Sequence, residues 1–145
     1  MMYPEHLISP MRQELTRLGV QELKTASDVE ATLQNERGTN LLIVNSMCGC
    51  AARNARPAVA MALSHSAKPD KTTTVFAGQD AEATAKAREY ITGYPPSSPS
   101  MALFKDGEVV FMLERWQIEG RSADAIARDL KAAFDEHCTS TSAAA

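Results

Sequence analysis

The sequence predicts an α/β sandwich built on one mixed β-sheet. Three observations lead there. The run 40–45, with Leu41-Leu42-Ile43-Val44 at its centre, is too short for a helix and reads as a strand buried on both faces. An alanine-rich stretch, 51–65, follows it with helical propensity. Lys105-Asp106-Gly107 separates the runs 101–104 and 108–113, which is a strong hairpin signal. A parallel portion reached through a helical crossover, completed by an antiparallel hairpin, gives helices packed on a mixed sheet.

The remaining elements follow in chain order. Met11, Leu15 and Leu18 have helical spacing, which predicts a helix over 9–18 that stops at Gly19. Residues 20–23 read as a short strand. Ser27 with Glu30 forms a capping-box pattern for a second helix ending near Glu36, before Gly38. Pro57 lies inside the alanine-rich helix and predicts a bend there. The β-branched run 72–76 is a strand, and Asp80 is placed to cap a helix over 81–90. The segment 93–98, G-Y-P-P-S-S, is a rigid loop, and Ser122 caps a last helix over 123–136. The ending T-S-T-S-A-A-A, 139–145, reads as a disordered tail after a single domain over 1–138.

Composition narrows the function. Fifteen Lys and Arg against 18 Asp and Glu give a formal charge of -3, with basic residues scattered, so neither nucleic acid nor an anionic membrane is the expected partner. The longest apolar run, Ala58-Val59-Ala60-Met61-Ala62-Leu63, is six residues, far below a membrane span. The N-terminal M-M-Y-P-E-H has no basic-then-apolar leader pattern, and a cytoplasmic location is the expectation. Three cysteines, Cys48, Cys50 and Cys138, do not make a disulfide scaffold; they point to packing, metal binding or redox chemistry.

Cys48 falls where the strand 40–45 gives way to a helix. The unpaired N–H groups of a first helical turn favour an anion, and a thiolate is one. A lowered thiol pKa makes a cysteine both nucleophile and good leaving group. Arg53 and Arg56 are expected to add to that field if their faces permit. Gly49 keeps the opening free of bulk and allows a turn. Cys50 is close enough to resolve a mixed disulfide at Cys48, through a small, strained ring that is easily reduced. The bland alternative makes both cysteines buried fillers. A metal site would need Cys138, His137 or His65 as further ligands, and no second close cysteine pair exists to supply them. Cys138 reads either as a second resolving thiol on a mobile C-terminus or as an exposed cysteine without a role. Pro99, at the start of a strand, is in a position where proline is tolerated.

Several strings carry a family resemblance. They are N-S-M-C-G-C-A-A-R-N-A-R-P at 45–57, V-F-A-G-Q-D at 75–80, the long run 83–107 through Y-P-P-S-S-P-S-M-A-L-F-K-D-G, I-E-G-R-S at 118–122, and F-D-E-H-C at 134–138. Together they resemble the bacilliredoxins over nearly the whole chain, with Trp116-Gln117 standing where the family carries histidine-rich sequence. The resemblance implies a thioredoxin-like fold with C-G-C in place of C-x-x-C. It implies Cys48 as attacking thiol and Cys50 as its neighbour; Gly49, Arg53 and Pro57 are read as supporting residues from their places around the pair. It also implies a cis Ser98–Pro99 peptide whose loop lies against the cysteines, meets the substrate and helps keep metal from the thiols. The implied activity is removal of bacillithiol from mixed disulfides on cytoplasmic proteins, with no cofactor beyond that small thiol as co-substrate and no metal. General disulfide reductase or isomerase activity is the alternative within the same chemistry. A metal- or cluster-binding protein and a non-catalytic adaptor are the alternatives outside it.

Overall fold

The computed structural model describes residues 3–138. Five strands form one mixed sheet: β1 (Gln21–Glu22), β2 (Thr39–Asn45), β3 (Lys71–Phe76), β4 (Ser100–Lys105) and β5 (Glu108–Leu113), in the order β1-β3-β2-β4-β5. β3 is parallel to both β1 and β2, while β4 is antiparallel to β2 and to β5. The helices are α1 (Glu5–Thr16), α2 (Ala26–Leu33), α3 (Arg56–Ala62), α4 (Ala81–Tyr90), α5 (Arg115–Ile118) and α6 (Ala123–His137). None among the described residues is long and apolar enough to cross a membrane.

The sheet divides two apolar layers. Leu41 and Ile43 of β2, with Met101 and Leu103 of β4, face one cluster built with α1, α3 and α6. Leu42 and Val44, with Ala102 and Phe104, face the other, built with α2 and α4. Each central strand must therefore be apolar on both faces, which is why β2 reads as an unbroken hydrophobic run. All seven of its residues are buried. The β4–β5 hairpin turns through Asp106 (φ 51°) and Gly107 (φ 85°), the left-handed pair that matches strand twist.

Several local expectations are corrected. α1 spans Glu5–Thr16 rather than 9–18, and it buries Ile8, Arg12 and Leu15 while Leu18 lies exposed beyond its end. Arg12 earns its inward place by bonding Glu5, Glu22 and Asp80 and lying over the Phe76 ring. That bond also takes the Asp80 carboxylate, so Asp80 starts α4 without capping it through its side chain. Thr25, not Ser27, caps α2: its hydroxyl accepts from the Asp28 N–H, and the Asp28 carboxylate accepts from Lys24 N–H. The alanine-rich helix ends at Ala62. Ser122 does cap α6, accepting from Ala125 N–H. The tail 139–145 lies outside the described residues.

Candidate active site

β2 ends at Asn45, and three residues later the chain reaches Cys48. This exit is held by a buried polar cluster. Arg56 donates to Asn45 Oδ1 at 2.9 Å, to the Ser46 carbonyl at 3.0 Å and to Glu14 at 2.9 Å. Asn45 Oδ1 also accepts from Ser46 N–H, and Asn45 Nδ2 reaches the Met11 carbonyl. A buried guanidinium with this many partners fixes the backbone before Cys48. Arg56 is thus a positioning residue and not part of a field around the thiols, as the sequence suggested.

Helical geometry begins at Gly49, so the N–H groups of this first turn lie beside Cys48. Ala51–Ala55 then form a π-helical turn, closed by a bond from Arg56 N–H to the Ala51 carbonyl, before α3 begins. Pro57 sits in the first turn of α3, where a missing N–H costs little. The expected bend near Pro57 takes this form: a wide π turn absorbs the proline that an uninterrupted α-helix would reject.

All three cysteines are reduced. The Cys48 and Cys50 sulfurs are 2.8 Å apart and both half-exposed, and the Ser46 hydroxyl donates to Cys48 Sγ at 3.3 Å. Burial opposes ionisation of Cys48, yet its pKa lies below the ordinary thiol value. The Cys50 thiol, the Ser46 hydroxyl and the backbone N–H groups of Ala51 and Cys50 outweigh that burial. Burial, the donated hydrogen bond and the charge on Cys48 hold Cys50 above its ordinary value, with Arg115 pulling the other way. One proton shared by two thiols therefore leaves Cys48 as the thiolate and Cys50 as the donor.

Gly49 keeps bulk away, as expected, but not by permitting a special turn. Its backbone is helical and needs no left-handed φ. A Cβ there would sit 2.9 Å from Arg53 Nη2, so the missing side chain makes room for the Arg53 guanidinium. The thiols open onto a groove of about 430 Å³ whose walls include Arg53, Asn54, Arg115 and Glu119.

Sequence reasoning missed the wall opposite the cysteines. α5 is one short turn, closed by a reciprocal capping box between Glu114 and Gln117. It delivers Arg115, which donates to the Ser98 carbonyl at 3.1 Å and to Glu119 at 3.3 Å. The signal available was the Glu114…Gln117 spacing, which matches a capping box but precedes no apolar run. Asn54, from the π turn, donates to the Ile118 and Arg121 carbonyls and so ties this wall to the cysteine helix.

Ser98–Pro99 is cis, and Pro99 is buried. Ser100 stands opposite Val44, so the antiparallel register carries Pro99 to the same edge of the sheet as the Cys48 segment. Arg115 links this loop to the groove. Cys138 is elsewhere. It follows α6, is buried in the layer beneath α3 and α6, and hydrogen-bonds the Thr39 side chain at the far end of β2. Seven residues of extended strand separate the two ends, roughly 20 Å. Neither an exposed cysteine nor a resolving thiol on a mobile arm describes that position. His65 pairs with Asp135, and His137 lies 3.8 Å from Glu136; among the described residues no three His, Cys, Asp or Glu side chains converge as metal ligands.

Known proteins share this architecture. A family model described as disulphide isomerase matches residues 3–138. A bacilliredoxin of Salinibacter ruber is 57% identical over 140 residues, covering 95% of this chain and 82% of its own. Another from Bacillus licheniformis is 56% identical over 137 residues, covering 94% and 95%. The chain belongs to the bacilliredoxin family. Among solved structures, Fasciola hepatica thioredoxin matches with a TM-score of 0.56 at 21% identity, over 81% of this chain and 99% of its own. Malassezia sympodialis thioredoxin gives 0.56 at 19%, over 82% and 90%. The fold is the thioredoxin fold, and the protein is a thiol–disulfide oxidoreductase of that class.

Proposed function

We propose that this bacilliredoxin-family protein reduces mixed disulfides between cytoplasmic proteins and a low-molecular-weight thiol, bacillithiol by family likeness. The observation that carries the reading is the split between the two thiols: Cys48 is held below the ordinary thiol value and Cys50 above it, at the mouth of an open groove. Cys48 thiolate attacks the small-thiol sulfur of the mixed disulfide. The old S–S bond breaks, its electron pair leaves with the protein thiolate, and the small thiol is now joined to Cys48. Cys50, once deprotonated, attacks the Cys48 sulfur and expels the small thiolate. Two further low-molecular-weight thiols, which leave as their own disulfide, or one dithiol reductase, which leaves oxidised, returns the resulting Cys48–Cys50 disulfide to two thiols. Ser98 and Pro99 support the substrate side indirectly, since Arg115 joins their loop to the groove. The thiol is co-substrate; the reaction as written uses no metal and no other cofactor.

The disulphide-isomerase description of the matching family model favours a second reading, general reduction or isomerisation of protein disulfides by the same pair. One experiment separates the two. A carrier protein with a single cysteine is offered as its bacillithiol and glutathione mixed disulfides, alongside a scrambled disulfide protein. Release of bacillithiol at least tenfold faster than glutathione, with weak isomerisation, supports the first reading. Equal release of both, with efficient isomerisation, supports the second.

A further inference from the structure

The groove beside the thiols carries charge that the rest of the molecule does not explain. The chain is acidic overall, at -3. Yet the walls next to Cys48 and Cys50 present two guanidinium groups, Arg53 and Arg115, against one carboxylate, Glu119. The Arg53 side chain makes no hydrogen bond or ion pair among the described residues, and its guanidinium is drawn in over Gly49. A long cation parked over its own glycine, one turn from the thiolate and without a partner, is a donor awaiting an acceptor.

Arg115 is set differently. Its bond to the Ser98 carbonyl fixes the side chain, while its contact with Glu119 is a solvent-exposed pair on one helix turn. Such a pair contributes little and exchanges readily for a better acceptor. Its charge acts on both Cys48 and Cys50, which places it within electrostatic reach of whatever is bonded to them. The remaining polar side chain of the wall, Asn54, is committed: it donates to two carbonyls.

We propose that Arg53 and Arg115 form a carboxylate-recognising subsite, so that the small thiol taken onto Cys48 is one whose non-sulfur end carries carboxylate. This rests on the reading of the protein as a reductase of small-thiol mixed disulfides, and it names the class of thiol. The subsite also sets which sulfur is attacked. With its carboxylate against the arginines, the small thiol lies in the groove with its sulfur toward Cys48, and the protein cysteine points outward as leaving group. Arg53 gives a mobile bidentate contact; Arg115 gives a fixed one.

The test uses the full-length protein and one carrier with a single cysteine, blocked in turn by 3-mercaptopropionate, 2-mercaptoethanol and cysteamine. These thiols are close in size and are anionic, neutral and cationic. Carrier release is followed by intact mass, and each rate is divided by the rate with dithiothreitol, which removes differences in the intrinsic reactivity of the three mixed disulfides. The anionic adduct should be released about tenfold faster than the neutral one, the size of one charge-assisted hydrogen bond, and the cationic one slowest. The preference should shrink with added salt. Arg53→Gln should lower the anionic-to-neutral ratio severalfold, Arg53→Lys should restore part of it, and Arg53→Gln with Arg115→Gln should bring it to about one. Because the readout is a ratio, general loss of activity does not imitate it. Equal rates for all three adducts in the wild type, or a ratio that survives in the double variant, overturns the subsite while leaving the reductase reading intact. Release of none of the three overturns the reductase reading itself, and the subsite falls with it.

Discussion

At its C-terminal end β2 runs toward Cys48; beside its first residue, Thr39, lies Cys138. The two cysteines belong to one fold and flank one strand, but their surroundings differ in kind. Around Cys48 the chain is leaving the sheet, so the Cys50 thiol, the Ser46 hydroxyl and the backbone N–H groups of Ala51 and Cys50 all act on one sulfur, and the groove is open to water. Around Cys138 a helix is ending against the core, with Phe134 one turn before it and the Thr39 hydroxyl in reach. Burial raises the Cys138 thiol, whereas at Cys48 the donors outweigh burial. Donors that converge on a sulfur, more than its exposure alone, separate a reactive thiol from a packing one.

Substitution at the two ends gives the largest contrast. Cys48→Ser should abolish release of a small thiol from a carrier protein, a loss of at least about a thousandfold, since the thiol left in the groove, Cys50, lacks the donors that converge on Cys48. Cys50→Ser should still attack but hold the small thiol on Cys48 as an adduct visible by intact mass. Cys138→Ser should release at the wild-type rate, and adding it to Cys50→Ser should not lengthen the life of the adduct, because Cys138 lies roughly a strand's length away. A longer-lived adduct in that double variant would show that Cys138 reaches the site and would erase the distinction between the ends.

How far the sequence exposes this difference depends on which forces act locally. β2, the β4–β5 hairpin and the Ser122 cap are legible because each follows from neighbours in the chain: an unbroken apolar run, a two-residue left-handed turn, and a hydroxyl three residues before its N–H. Cys48 and Cys50 are legible for the same reason, as the strand, the pair and the helix are contiguous. What depends on distant partners is not. The Asp80 side chain leaves its helix for Arg12, 68 residues away, and Arg56 turns inward for Asn45 and Glu14. Arg115 enters the site only because a four-residue helix sits opposite the cysteines. Cys138 reads in the sequence as a residue between the last helix and a loose tail, yet α6 carries it into the core with the periodicity of Ile126, Leu130 and Phe134.

A titration sharpens the contrast at intermediate cost. With iodoacetamide, the apparent pKa for modification of Cys48 should fall below the ordinary thiol value of about 8.5, and Cys138 should resist modification until the protein unfolds. The sign for stability is opposite at the two ends. Cys48, with its pKa depressed by folding, adds stability that is present above the unfolded value and fades as pH falls through the folded one. Cys138, with its pKa raised, adds stability that is present below the unfolded value and fades as pH rises through the folded one. Cys48→Ala should thus flatten the urea stability of the reduced protein on the neutral side, and Cys138→Ala should flatten it on the alkaline side. Equal alkylation of the two thiols in the folded protein at neutral pH would contradict both assignments.

The smallest expected effect is at Gly49, between the two reactive thiols. Its helical backbone accepts any L-residue, so alanine removes the excess freedom of glycine in the unfolded chain and gains up to about 1 kcal/mol of helix propensity. The new Cβ meets Arg53 Nη2 at 2.9 Å, too close to stay. That atom is the end of a long, exposed side chain with no partner to lose, so Arg53 swings away at little cost. Gly49→Ala should therefore unfold in urea within about 1 kcal/mol of the wild type, with Cys48 alkylated at a similar rate. Its one clear defect should be in discrimination: with Arg53 displaced, the anionic-to-neutral release ratio should drop toward that of Arg53→Gln. Full retention of that ratio would mean that Gly49 makes room for something other than Arg53. A drop in stability of several kcal/mol would mean instead that the first turn is packed too tightly for a methyl group, and that the glycine serves the fold before the site.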